Sequence, residues 1–81
     1  MSEHRVYLTR THGLGPFKKV ETVTITASGW GHLAIVIDLA GEVTHSAERD
    51  FEGPFERDQA LETAVADFVA TGYVLHPEET R

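Results

Sequence analysis

Residues 20–27, with the sequence VETVTITA, constrain the fold of this chain more than any other stretch. Val23, Ile25 and Ala27 alternate with three threonines, and successive side chains of a β-strand point to opposite faces of the sheet. The stretch therefore predicts a strand with one apolar face and one threonine face. A sheet built around it has its core on one side only, and the other side meets solvent or a partner.

Three more segments have strand patterns, and glycine-containing turns separate them. Residues 4–10 alternate in polarity, and residues 32–39 are apolar almost without a break, as is typical of a central strand. Turns are predicted at 28–31 and at Gly41, because glycine adopts the positive φ angles that hairpins need. Residues 43–51 form a weaker strand, one face of which carries Val43, His45, Ala47, Arg49 and Phe51.

The segment 57–71 has the pattern of a single amphipathic helix. Its apolar residues recur with a period of 3.6 and place Leu61, Val65 and Phe68 on the buried side. Gly72 is suited to the left-handed conformation that ends many helices. Residues 73–77 then leave as a short edge strand or a packed tail.

These elements predict one small α+β domain spanning residues 1–81. Consecutive hairpins give an antiparallel sheet of about four strands in the order β-β-β-β-α, and the C-terminal amphipathic helix packs on one face of it. A short fifth strand after the helix remains an option. The open face is expected to carry the threonines, Tyr7 and His45.

The charges are divided unevenly along the chain. Residues 1–20 carry four cations and one acid, a net charge of +3, whereas residues 21–81 carry three cations and twelve acids, a net charge of −9, so that the whole chain is at −6. The helix acids and those before them predict a negative band. Such a band either keeps the protein in solution or meets a basic partner surface.

Composition excludes several classes of protein. With 41% hydrophobic and 25% charged residues, the chain is too apolar to be disordered. The absence of cysteine excludes disulfide scaffolds and zinc–cysteine sites. The charged start MSEHRVYLTR lacks the apolar segment of a signal peptide, and no run is long enough to span a membrane. We therefore expect a cytoplasmic protein of a bacterium or an infected cell, with no membrane partner and no cofactor.

The stretch THGLGPFKKV at 11–20 has the glycines and lysines of a phosphate-binding loop but not its context. Such loops open a helix, whereas a threonine-rich strand follows here, and Pro16 removes a backbone N–H. We interpret the stretch as a hairpin connection with a basic rim. Arg10, Lys18 and Lys19 are then the candidates for an alternative function, weak and sequence-independent nucleic-acid binding.

The histidines provide a second alternative, a small metal-binding protein. They are His4, His12, His32, His45 and His76. None has the close spacing of a ligand pair, and only His32 and His45 could meet through a hairpin. His45 and Ser46 are strand neighbours that point to opposite faces, so they cannot act as base and nucleophile. No metal site and no catalytic residue is predicted.

Trp30 lies in a predicted turn between two glycines, where few neighbours can bury it. Exposed tryptophan and tyrosine are common anchors of protein interfaces, although the ring could instead fold back over the end of the core. We expect a non-enzymatic module that binds a protein with a basic surface, with little direct contact to nucleic acid. The candidate contact residues are Trp30, Tyr7, Glu62, Asp67 and Asp58.

Two resemblances bear on function. The C-terminal half resembles the end of a WGR domain, a sheet-plus-helix module associated with nucleic acid, at Phe55, Ala60, Ala64, Phe68 and residues 72–74. The Trp-Gly-Arg signature of that family is absent, so no function is carried over. In size and charge the chain is similar to phage-encoded inhibitors of host defence, such as anti-CRISPR proteins, which implies that it occludes or mimics nucleic-acid contacts. Because the core of so short a chain is thin, a homodimer is also expected.

Overall fold

The strands of this computed structural model form one antiparallel sheet with a helix on one side. The structure describes residues 3–13 and 15–76. The elements are β1 (His4–His12), β2 (Lys19–Ser28), β3 (His32–Leu39), β4 (Glu42–Asp50), α1 (Pro54–Ala70) and β5 (Val74–His76). The sheet order is β4-β3-β2-β1-β5. The predicted α+β class and element order are confirmed, and the optional fifth strand pairs with β1.

The core lies between α1 and the apolar face of β2. Its buried residues are Leu8, Val23, Ile25, Ala27, Leu33, Leu61 and Tyr73. Val65 and Phe68 pack half-buried against this cluster, so the predicted helix stripe is confirmed. The threonines of β2 point to the opposite face, which we call the open face, and no element of the described residues packs over it.

Both ends of α1 follow from local chemistry. The helix begins three residues before the predicted start because Pro54, whose fixed φ suits a first helical turn, occupies its first position. At the other end Gly72 has a φ of +104°, as predicted. The Tyr73 N–H then donates to the Phe68 carbonyl at 3.1 Å, which satisfies a carbonyl in the last turn of the helix.

A β-bulge in β4 places Val43 and His45 on different faces of the sheet, so the shared face predicted for them and the open-face position predicted for His45 are wrong. Ile37 pairs with His45, but Asp38 pairs with Val43, so Thr44 is an extra residue in β4. An extra residue shifts the alternation of side chains by one position. His45 therefore lies on the helix side of the sheet rather than on the open face, and Val43 lies on the open face.

The antiparallel order places the connections at two ends of the sheet. The β2–β3 turn with Trp30, the β4–α1 connection and the start of α1 lie at one end, which we call the tryptophan end. The β1–β2 connection, the β3–β4 turn and the end of α1 lie at the other, the loop end. The stretch at 11–20 therefore joins the two strands of a hairpin, as predicted; its first two and last two residues belong to β1 and β2, and a 3₁₀ turn lies at Gly15–Phe17.

Candidate protein-binding site

Trp30 is exposed at the tryptophan end, with 74% of its surface accessible. Its indole Nε1–H donates to the carbonyl oxygen of Glu52 at 3.0 Å. The ring is therefore fixed in place without being folded back over the core. A large aromatic side chain held in this way loses little conformational entropy when it enters an interface.

The turn that carries Trp30 is itself tied to the elements around it. The Phe51 N–H donates to the Gly31 carbonyl at 2.7 Å, and a Cβ on Gly31 would collide with the Phe51 carbonyl oxygen. The guanidinium of Arg57 donates to the carbonyls of Ser28 and Gly29 at 3.4 and 3.3 Å. Arg57 thus connects the first turn of α1 to the tryptophan turn, a role that the sequence pattern did not indicate.

A second exposed aromatic ring, Phe55, lies in the first turn of α1. A groove of about 500 Å³ opens beside it, and Asp58 and Glu62, one helical turn apart, line the groove together with Arg57 and Leu61. The guanidinium of Arg57 donates to the Asp58 carboxylate from Nε at 3.1 Å and from Nη2 at 3.0 Å, so Asp58 is already paired within the fold. An aromatic ring beside the Glu62 carboxylate suits a lysine or arginine side chain, through cation–π contact and a charge-assisted hydrogen bond. Sequence reasoning missed Phe55, although its position off the stripe of buried helix residues was a usable signal.

The three helix acids predicted to contact a partner do not form one continuous band. Asp58 and Glu62 lie on the flank of α1 that faces the Phe55 groove. Asp67 follows Asp58 by nine residues, about two and a half helical turns, and therefore lies on the opposite flank. There it lines a different groove together with Arg10. The partner-binding candidates at the tryptophan end are thus Trp30, Asp58 and Glu62.

Tyr7 belongs to the open face rather than to the tryptophan end. It is 36% exposed in the middle of β1, where it pairs with Thr24 of β2 and His76 of β5. The neighbouring threonines are half-buried by one another. The structure therefore does not bring Tyr7 beside Trp30.

Arg10 is occupied within the fold. Its guanidinium lies 4.4 Å from the centre of the Tyr73 ring and donates to the Glu21 carboxylate at 3.1 Å and to the Thr71 carbonyl at 3.0 Å. A hydrogen bond with His12, followed by those with Tyr73 and Arg10, lowers the pKa of Glu21 against the opposing effect of burial. Burial, then the contact with Glu21, raises the pKa of Tyr73. This network anchors the end of α1 to the sheet.

Lys18 and Lys19 are exposed at the loop end, away from that network. Phe17, which precedes them, is 81% exposed. The basic rim predicted for this connection therefore consists of two lysines and an aromatic ring, without Arg10.

The structure does not bring together His32 and His45, the one histidine pair that a hairpin could have joined. His32 lies on the open face and His45 on the helix side. The ring of His32 is held between two carboxylates of β4, with Nδ1 2.8 Å from Asp50 and Nε2 3.0 Å from Glu48. These hydrogen bonds, chiefly that with Asp50, raise the pKa of His32 above its usual 6.5. Within residues 3–13 and 15–76, no three potential ligands are arranged to hold a metal ion.

Fold and site together define a class of protein: the described residues form a five-stranded antiparallel sheet with one α-helix, which exposes two aromatic rings and a groove lined by Asp58, Glu62 and Arg57 at one end. No family model, no curated protein and no solved structure matches the chain. The function must therefore be argued from this geometry alone. Among the described residues, no helix is both long enough and apolar enough to cross a membrane.

Proposed function

We propose that this protein is a small, non-enzymatic module that binds a protein with a basic surface, and that Trp30 is its anchor. The observation that carries the proposal is the exposed indole, fixed by its hydrogen bond to the Glu52 carbonyl. A few tryptophan, tyrosine and arginine side chains provide most of the binding energy in protein interfaces. A rigid tryptophan on the surface is the strongest such feature in this chain.

The groove beside Phe55 supplies the second contact of the proposed interface. A lysine or arginine of the partner enters it between the ring of Phe55 and the carboxylate of Glu62, while Asp58 stays paired with Arg57. Exposed carboxylates mainly raise the association rate and fix orientation, whereas the buried rings slow dissociation. We therefore assign affinity to Trp30 and Phe55, and steering to the acids.

We extend the proposal to inhibition. A compact acidic surface that receives cationic side chains can occupy the position of a nucleic-acid backbone on a basic protein. The supporting observations are the net charge of −6 and the acids around the tryptophan end. In this proposal the protein acts in the cytoplasm of a bacterium or an infected cell, where it blocks nucleic-acid contacts of its partner.

The test compares immobilised wild type with Trp30→Ala and Phe17→Ala in affinity capture from bacterial lysate. Phe17→Ala is the matched control, because it removes an equally exposed aromatic ring at the opposite end. Wild type and the control should retain the same basic nucleic-acid-binding protein, and duplex DNA should displace it. Trp30→Ala should lose about tenfold or more of the retention, as expected for a central interface aromatic. Equal retention by all three proteins would exclude a Trp30 interface.

The loop end favours a second candidate function, direct binding of single-stranded nucleic acid. Phe17 stands exposed beside Lys18 and Lys19, and an aromatic ring next to cations forms a stacking platform for bases. A labelled single-stranded oligonucleotide should then bind with an affinity that falls steeply with salt. Phe17→Ala should abolish that binding, and Trp30→Ala should leave it intact.

A further inference from the structure

The helix side of the sheet is wider than one helix can cover. Five strands about 4.8 Å apart make a sheet roughly 20 Å wide, whereas a packed helix covers about 10 Å. The helix α1 packs against β2, β3 and β5, and every residue of β4 is exposed. A strip of sheet about one helix wide therefore remains uncovered beside α1, over β3 and β4.

This strip is a groove with an apolar floor, which we call the α1–β4 groove. It has a volume of about 320 Å³. Its floor consists of Leu33, Ile35, Ala47 and Phe51, and its wall on the helix side consists of Ala60 and Ala64. Because the two alanines lie one turn apart on the same flank of α1, a second helix can approach α1 closely there.

The groove extends along most of the length of α1. A second depression, of about 470 Å³, shares Ala64 with the first and continues past Asp67 to Thr71. Arg10 and Tyr73 also line this second depression, so the trough is apolar over its first half and polar towards the end of α1. An extended trough of this kind beside a helix has the shape that an amphipathic helix of a partner fills.

Charges border the α1–β4 groove in a defined pattern. Glu56 and Asp67 are exposed and eleven residues apart, about three turns or 16 Å, so that both lie on the flank that carries the two alanines. On the opposite border, Arg49 lies with its guanidinium 4.9 Å from the centre of the Phe51 ring. Arg10 and Glu48 also line the two depressions, but Arg10 is bound to Glu21 and Glu48 to His32. The remaining charges make the groove negative along α1 and positive at Arg49.

We propose that the α1–β4 groove binds one amphipathic helix of a partner protein, laid alongside α1. The helix places an aliphatic face on the floor, two lysines or arginines eleven residues apart against Glu56 and Asp67, and a carboxylate against Arg49. The α1 helix of a second copy does not match this pattern, because it would bring Glu56 and Asp67 against the same two acids. The proposed contact is separate from the Trp30 interface and does not depend on it.

The probe is a fluorescein-labelled amphipathic peptide of about 18 residues, five helical turns. It has a leucine and alanine face and two lysines eleven residues apart. A control peptide has glutamate in place of both lysines. Fluorescence anisotropy with the full chain should show saturable binding of the lysine peptide and binding at least about tenfold weaker for the glutamate peptide, because like charges would then face one another.

Neighbouring residues of β4 provide a matched pair of variants. Ala47 and Ser46 are both exposed and lie on opposite faces of the sheet, with Ala47 on the groove floor. Ala47→Lys should weaken binding of the lysine peptide by about tenfold or more, because it places a charge in the apolar floor. Ser46→Lys should leave binding unchanged, and thermal unfolding should show both variants folded.

Charge reversal on α1 tests the orientation of the peptide. Asp67→Lys should weaken the lysine peptide and strengthen the glutamate peptide, whereas Asp38→Lys, on the open face, should do neither. The proposal fails if neither peptide binds, if Ser46→Lys matches Ala47→Lys, or if a homodimer forms and excludes the peptide. Trp30→Ala should bind the peptide like wild type. If the peptide does not bind wild type, the Trp30 interface is still tested independently by the affinity capture described above.

Discussion

Truncation of Phe68 tests how strongly α1 is packed on the sheet. The ring is half-buried in the core and meets the Tyr73 ring edge-on, with the centroids 5.2 Å apart and the planes at 77°. Removal of a fully buried phenylalanine costs about 3–5 kcal/mol, and half-burial reduces this to about 2 kcal/mol. Loss of the aromatic pair adds about 1 kcal/mol. We therefore expect Phe68→Ala to lower the free energy of unfolding by about 3 kcal/mol.

Thermal unfolding followed by circular dichroism measures this change. In a domain of this length, 1 kcal/mol corresponds to about 4–8 °C in Tm, so Phe68→Ala should melt roughly 12–24 °C below wild type. Val69→Ala is the matched control, since Val69 is the next helix residue and is 47% exposed. The control should cost less than about 1 kcal/mol. Equal melting temperatures for the two variants would refute the packing of α1 through Phe68.

Three further predictions address the turn, the open face and the loop end. Gly31→Ala should cost about 2–4 kcal/mol in urea unfolding, because its Cβ would displace the Phe51 carbonyl and break the hydrogen bond between the two residues. The pKa of His32 is raised in the folded protein, so protonated His32 stabilises the fold fully below pH 6.5. This stabilisation is lost as the pH rises through the raised pKa. Wild type should therefore lose stability over that range relative to His32→Gln, and parallel pH profiles would contradict the assignment. Reversal of Lys18 and Lys19 to glutamate should change stability by less than about 0.5 kcal/mol and leave partner capture intact, whereas lost capture would move the interface to the loop end.

The strands and the helix were predictable because each pattern is local. Alternation in β2 and the spacing of Leu61, Val65 and Phe68 need only a few residues to show a strand or a helix. The bulge at Thr44 was not predictable in this way. The alternation of side chains is intact before and after Thr44, so the sequence does not reveal the extra residue. Only the pairing with β3 shows that Val43 and His45 lie on opposite faces of the sheet.

The candidate site was less accessible to sequence reasoning because its contacts are long-range. The turn position of Trp30 followed from two glycines, but the state of its ring depends on a carbonyl 22 residues away. From the sequence, Arg10 was a reasonable candidate for phosphate contact. In the structure its guanidinium donates to the Thr71 carbonyl, 61 residues away, at 3.0 Å. Neither contact produces a periodic pattern in the sequence.

The pairing of β5 with β1 determines the order in which this chain can fold. Leu8 lies opposite Leu75, so this ladder joins the first and last strands of the described chain, whereas β1 to β4 pair through short turns. Pairing of β5 with β1 closes a longer loop than the hairpins do, so it costs more chain entropy before its contacts can offset that cost. We therefore expect the four-stranded meander to assemble early and β5 to join last. A nascent chain that has not yet released β5 from the ribosome presents the outer edge of β1, nine residues long, as an unpaired strand. Such an edge is open to pairing with other chains until β5 covers its centre, from Tyr7 to Thr9.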